Sequence, residues 1–73
     1  MKKINYFNVF GHNLYRLRKE NKLTQKEMAD KLGISISSLR KLENGIVTPR
    51  LTINIIFNAS KEFSIEPYEL FEI

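Results

Sequence analysis

Five residues between positions 36 and 44 combine hydrogen-bonding groups and positive charge at helical spacing. They are Ile36, Ser37, Arg40, Lys41 and Asn44. The intervals i, i+1, i+4, i+5 and i+8 place all five on one stripe of an α-helix. Four of them can donate hydrogen bonds and two are cations, so the stripe suits the recognition of acceptors and anionic groups. The fifth, Ile36, can offer only an apolar contact.

The side chains needed for catalysis are missing. His12 is the only histidine and the chain has no cysteine, so neither a nucleophilic triad nor a zinc site can be assembled. The serines have no candidate base, and there is no glycine-rich phosphate loop. We therefore expect no enzymatic activity, no cofactor and no metal. A chain of 73 residues also leaves no room for an effector domain, so we expect no regulation by a small ligand, and without a catalytic site we expect no small-molecule substrate.

The net charge of +4 is unevenly distributed along the chain. Residues 1–50 hold eleven of the twelve Lys and Arg against four acids, whereas residues 51–73 hold one Lys against four Glu. A basic front and an acidic tail favour one face made for a polyanion, although a solvated basic surface is an equally simple reading. The lack of cysteine, of a signal peptide and of a membrane-length apolar run predicts a cytoplasmic protein without membrane contact.

Apolar periodicity and turn residues predict one all-α domain over residues 1–73, with no strand. We expect five short helices, over residues 6–21, 25–32, 35–44 and 53–63 and from Pro67 onward. Proline suits the first helical position of the last one. Gly11 is interpreted as a tolerated weak point of the first helix, and Thr52 as the N-cap of the fourth.

The segment GISISS, residues 33–38, alternates like a strand but is better interpreted as a junction between two helices. Gly33 can take the left-handed conformation that ends a helix, and Ser35 is a good N-cap for the next one. Small Ala29 and aliphatic Leu39 suit the contact where two helices cross steeply on a tight turn. The spacing therefore predicts a helix-turn-helix over residues 24–45, with a generic helical hairpin as the alternative.

The stretch QKEMADKLGISISSLRKLENG resembles the helix-turn-helix domain of the phage-repressor and Cro-like (XRE-type) family. FGHNLYRLRKENKLTQ is similar to the first helix of that family, ENG followed by Pro49 to its exit loop, and EPYELF to its closing helix. The resemblance covers roughly residues 9–72, and the loop 45–52 is one residue longer than usual. It implies a compact, five-helix, lambda-repressor-like fold that inserts helix 3 into the major groove of DNA, often as a dimer on a two-fold operator.

The stripe on helix 3 then divides into two groups of predicted DNA contacts. A major groove offers acceptors at guanine and a methyl group at thymine, so we expect base reading by Ile36, Ser37, Arg40 and Lys41, with a phosphate contact as the alternative for Arg40. We expect phosphate contacts from a second set: Gln25, Ser35, Asn44, Thr48 and Arg50. Gln25 opens helix 2, where free N–H groups favour an anion, and the resemblance implies that it often braces the first base-reading side chain, here Ile36.

Glu43 lies near the C-terminal end of helix 3, where the helix dipole disfavours an acid. The resemblance implies that Arg18 of helix 1 neutralises it. We assign this ion pair a structural role, the alternative being that both side chains are merely exposed.

The C-terminal third carries more large apolar residues than so small a core can hide. We expect Phe57, Tyr68, Phe71 and Ile73 to form a homodimer interface, and Ile55 to belong to the same surplus.

These observations predict a sequence-specific, double-stranded DNA-binding regulator of transcription, acting as a repressor. An antitoxin of a toxin–antitoxin pair and a restriction-modification controller are alternatives of the same class. A protein-interaction module that kept the fold is the alternative of another class.

Overall fold

The computed structural model describes residues 4–46 and 53–73, which form four α-helices and one 3-10 helix. The elements are α1 (Tyr6–Glu20), α2 (Gln25–Leu32), α3 (Ile36–Glu43), α4 (Ile53–Phe63) and the 3-10 helix Pro67–Phe71. No strand occurs in this part of the chain, so the predicted all-α class is confirmed there. Every α-helix begins and ends within one residue of its predicted bounds. Thr52, the predicted cap of α4, lies outside the described residues.

The fifth short helix that was predicted from Pro67 onward is a 3-10 helix of five residues, so a count of five α-helices is not confirmed. Its N–H groups bond to the third residue back, as from Glu69 to the carbonyl of Glu66 at 2.9 Å. The chain becomes extended again at Glu72 (φ −81°, ψ 140°). So short a segment cannot offset the cost of nucleating an α-helix, whereas a 3-10 turn closes with fewer residues.

Capping interactions define the ends of α2 and α3 and the three-residue turn that joins them. The Thr24 hydroxyl accepts the Glu27 N–H at 3.1 Å, and the Glu27 carboxylate accepts the Thr24 N–H at 2.9 Å. Gly33 ends α2 with φ 72° in the left-handed region. Ser35 starts α3 by accepting the Ser38 N–H at 3.1 Å. Local side-chain chemistry thus sets where both helices begin and end.

The core lies between α1 and the remaining elements. Its members are Phe10, Leu14, Leu17, Met28, Ala29, Leu32, Leu39, Leu42, Ile55, Ala59 and Leu70. Ala29 and Leu39, expected at the crossing of α2 and α3, are both fully buried. The expectation that Ile55 belongs to an exposed surplus was wrong: together with Ala59, one turn further along α4, it is buried.

Gly11 is required by the packing of α1 on α3. A Cβ at this position would overlap the carbonyl oxygen of Leu42 and lie 2.9 Å from its carbonyl carbon. The interpretation of Gly11 as a tolerated weak point therefore missed its role, which is to let the two helix backbones approach closely.

The C-terminal segment is held against α1 by one polar and one aromatic contact. The amide of Asn13, only 6% exposed, donates to the carbonyls of Leu70 (2.8 Å) and Glu72 (2.9 Å). Phe71 stacks on Phe10 with ring centroids 5.3 Å apart. These contacts join the first helix to the last element across nearly the whole chain.

Candidate nucleic-acid interface

The stripe predicted on α3 is largely open to solvent. Ser37, Arg40, Lys41 and the cap residue Asn44 are exposed. Ile36 is partly buried and packs against the core, so it is less accessible than the other members of the stripe. The polar members and one edge of Ile36 therefore form a surface on one rigid helix.

Two of the predicted phosphate ligands are the caps of α3. The Ser35 hydroxyl accepts a hydrogen bond from the backbone N–H of Ser38 in the first turn of the helix. The Asn44 amide donates to the Arg40 carbonyl at 2.9 Å, which ends it. Both side chains are exposed, so each retains hydrogen-bonding capacity for a ligand. Thr48 and Arg50 lie outside the described residues.

Arg18 and Glu43 form a two-bond ion pair between α1 and the last residue of α3. Arg18 Nε lies 2.7 Å from Glu43 Oε2, and Arg18 Nη2 lies 3.1 Å from Glu43 Oε1. The side chains are only 10% and 6% exposed. A third bond joins Arg18 Nη1 to the Leu23 carbonyl at 3.3 Å. The hydrogen bond to Glu43 raises the pKa of Arg18, with burial acting in the opposite direction, so the guanidinium stays charged and holds the end of α3 against α1.

Gln25 connects this ion pair to the exposed stripe. Its Nε2 donates to Glu43 Oε1 at 3.4 Å, and its Oε1 accepts from Arg40 Nε at 3.1 Å. The resemblance had implied that Gln25 braces Ile36, whereas here the braced side chain is Arg40. Sequence reasoning missed this contact because residues on two helices, fifteen positions apart, meet only once the crossing angle is known. The available signal was a glutamine at the start of α2 combined with a long cation in the middle of α3.

Three of the four residues predicted at a dimer interface are strongly exposed. Phe57 is 52% exposed, Tyr68 66% and Ile73 92%. Phe71 differs, because it is partly buried and stacks on Phe10. Among the predicted interface residues, Phe57, Tyr68 and Ile73 therefore supply most of the exposed apolar surface, and Ile53, which was not predicted, is also 62% exposed.

Two kinds of feature are absent from residues 4–46 and 53–73. No group of three or more His, Cys, Asp and Glu side chains there could hold a metal ion. No helix in that part of the chain is both long enough and apolar enough to cross a membrane.

A family model described as Helix-turn-helix matches residues 14–70 of the chain. That span contains the capped junction of α2 and α3, both residues of the ion pair and the whole exposed stripe. No curated protein and no solved structure shows significant similarity to the chain. Because the family model covers well over half of the sequence and its helices occur where the pattern requires them, the chain belongs to the helix-turn-helix family of XRE, or Cro-like, type, a family of DNA-binding transcription regulators.

Proposed function

We propose that the protein is a sequence-specific repressor of transcription that inserts α3 into the major groove of a two-fold operator. The observation that carries this proposal is the exposed row Ser37, Arg40 and Lys41 on a helix whose far end is held by a buried ion pair. The major groove admits one α-helix and presents hydrogen-bond acceptors and donors on the base edges. Long donors on a rigid helix match that surface.

Base reading is assigned to the exposed side of α3. Lys41 is long and cationic, and O6 and N7 of guanine are its best target. Ser37 is short and both donates and accepts, so it suits either kind of edge. The exposed edge of Ile36 can contact only an apolar group, which in the groove is the thymine methyl. Replacing operator thymines by uracil one at a time tests this last assignment, since uracil lacks the methyl.

Phosphate contacts are assigned to the helix ends that flank the stripe. Gln25 contributes through the free N–H groups of the first turn of α2, where the dipole favours an anion. Ser35 and Asn44 contribute from the two ends of α3, and Thr48 and Arg50 are assigned to the same group from their position in the sequence. Such contacts set the register of the protein on DNA without reading sequence.

A two-fold operator implies two copies of the chain. We assign the homodimer contact to the exposed side chains Phe57, Tyr68 and Ile73, with Phe71 contributing its unburied part. Such a dimer would place its two α3 helices roughly 34 Å apart, one turn of DNA. We assign the chain as a single non-enzymatic domain that works in the cytoplasm without a cofactor, a small-molecule substrate or a membrane.

The decisive experiment is selection of binding sites from random duplex DNA with the purified protein. We expect an enriched motif with two-fold symmetry, and lower expression of a reporter whose promoter contains that motif. Lys41→Ala should relax the preference at one position per half-site, at a cost of about 1–3 kcal/mol there. The matched control Lys61→Ala removes the same charge from an exposed site on α4 and should leave every preference unchanged.

Failure to enrich any sequence would contradict the proposal and favour the protein-interaction module. Enrichment only after a second protein is added would favour the antitoxin reading. Equal effects of the two lysine changes would show that Lys41 acts by charge alone.

A further inference from the structure

A continuous chain of side-chain hydrogen bonds links the buried ion pair to an exposed cation. Arg18 bonds to Glu43, Glu43 accepts from Gln25, and Gln25 accepts from Arg40. Exposure rises along the chain, since the ion pair is buried, Gln25 is partly buried and Arg40 is exposed. A side chain at the surface is thus tied, through two intermediates, to α1.

The charges at the two ends determine which way the Gln25 amide points. Its NH2 group faces the Glu43 carboxylate and its oxygen faces the Arg40 guanidinium. The reversed orientation would place oxygen against oxygen at one end and donor against donor at the other, so it is excluded on electrostatic grounds. Glu43 therefore ensures that Gln25 always presents an acceptor to Arg40.

The bond from Gln25 uses only the Nε–H of Arg40. The end-on fork formed by Nη1 and Nη2 takes no part in it, and that planar fork matches the two acceptors O6 and N7 of one guanine. Orientation matters for this use, because a base edge must be met in its own plane. A phosphate can be approached from many directions, so a phosphate contact would gain little from such bracing.

We propose that Gln25 is the positioning residue for Arg40, and that Arg40 held in this way reads a guanine in each half-site. The inference rests on the proposed function, because it needs α3 in a major groove. It separates two roles of Gln25: the backbone at the start of α2 meets phosphate, while the side chain orients Arg40. It also predicts two guanine contacts per half-site, one for Arg40 and one for Lys41.

The first test changes only the DNA and so needs no protein variant. Each guanine of the selected operator is replaced in turn by 7-deazaguanine, which lacks the N7 acceptor, and binding of the wild-type protein is measured. Arg40→Ala is then measured on the same series. We expect one position at which the wild type loses about fivefold or more in affinity and Arg40→Ala loses nothing further. Wild-type binding that is insensitive at every guanine would overturn the inference.

The second test is a double-mutant cycle on operator affinity with Gln25→Ala and Arg40→Ala. Gln25→Ala should weaken operator binding about fivefold or more, with the loss confined to the guanine that Arg40 reads. In the Arg40→Ala background the same change should cost less than about twofold, because its target is gone. Arg40→Lys keeps a cation that can still reach guanine but lacks the Nε–H that Gln25 holds, so Gln25→Ala should cost less than about twofold in this background as well.

Two results decide between this inference and its rivals. If Gln25→Ala weakens all sequences alike and adds fully to Arg40→Ala, Gln25 acts on phosphate and the inference is wrong, while the proposed function stands. If the wild type selects no operator at all, both are wrong. Thermal melting of each variant, together with Lys41→Ala as an uncoupled control in the same cycle, separates loss of positioning from loss of folding.

Discussion

Replacing Arg18 by methionine should cost far more stability than the loss of an ordinary surface ion pair. The substitution removes both bonds to Glu43 and the bond to the Leu23 carbonyl. It leaves a carboxylate that is 6% exposed with no cation, and with Gln25 at 3.4 Å as its remaining donor. Breaking a buried pair in this way costs about 3–5 kcal/mol. A domain of this length has a free energy of unfolding of roughly 4–11 kcal/mol, so Arg18→Met should lose a large part of that stability.

The chain contains a matched control for this experiment. Arg16 and Glu20 on α1 approach to 2.8 Å, nearly the same separation as in the buried pair, but their side chains are 48% and 55% exposed. Solvent screens such a pair, so Arg16→Met should cost at most about 1 kcal/mol. Urea denaturation of both variants at pH 7 gives the midpoint and the slope, and an unchanged slope shows that stability alone has changed.

The sharpest readout is the double variant Arg18→Met with Glu43→Gln. It leaves no buried charge without a partner, so it should be more stable than Arg18→Met alone although it carries one substitution more. A double variant less stable than Arg18→Met, or a cost of Arg18→Met no larger than that of Arg16→Met, would refute the reasoning from burial.

Three further predictions concern packing and capping. Gly11→Ala should destabilise the fold by about 1–3 kcal/mol or more, because the new methyl overlaps the Leu42 carbonyl, although alanine has the better helix propensity. Thermal melting should show this loss, whereas the control His12→Ala, at the next and exposed position, should be unaffected. Asn13→Ala should cost about 1–3 kcal/mol and speed amide hydrogen exchange in the C-terminal 3-10 helix, since it removes both bonds to carbonyls there. The Glu27 carboxylate accepts the backbone N–H of Thr24 at the start of α2, and this hydrogen bond lowers the pKa of Glu27 in the folded state. The stabilising effect of this carboxylate is therefore present at neutral pH and is lost as the pH falls from about 4.3 through the lowered pKa. Glu27→Gln can keep the capping geometry but cannot titrate. When the melting temperature is measured as a function of pH, the decrease on the acid side should be smaller for this variant than for the wild type, and the change at pH 7 should be smaller than that difference.

The helix bounds and the turn could be predicted because their causes are local. The capping box at 24–27, the left-handed Gly33 and the Ser35 cap each act within four residues, so residue type and spacing suffice to place them. The exposed face of α3 followed from periodicity alone. The family resemblance added the partner of Glu43, which no local rule supplies.

The remaining features depend on how distant segments meet. Gly11 looked like a defect of α1 because the backbone of α3 that needs the space lies 31 positions further on. Ile36 fits the stripe by spacing, yet its partial burial depends on the tilt of α3 against the core. The bracing of Arg40 by Gln25 depends on the direction of two side chains. Residue spacing contains none of these quantities.

The two bonds donated by Asn13 also impose an order on the making of the protein. During synthesis α1 leaves the ribosome before these partners, because the carbonyls that satisfy its buried amide belong to residues 70 and 72, 57 and 59 positions further along the chain. Phe10 likewise has no stacking partner until Phe71 has been synthesised. The nascent chain can therefore form local turns and the junction of α2 and α3, but the contacts around α1 cannot be completed until residue 72 has left the ribosome. Ribosome-bound chains stalled before residue 70 should therefore remain open to protease in α1.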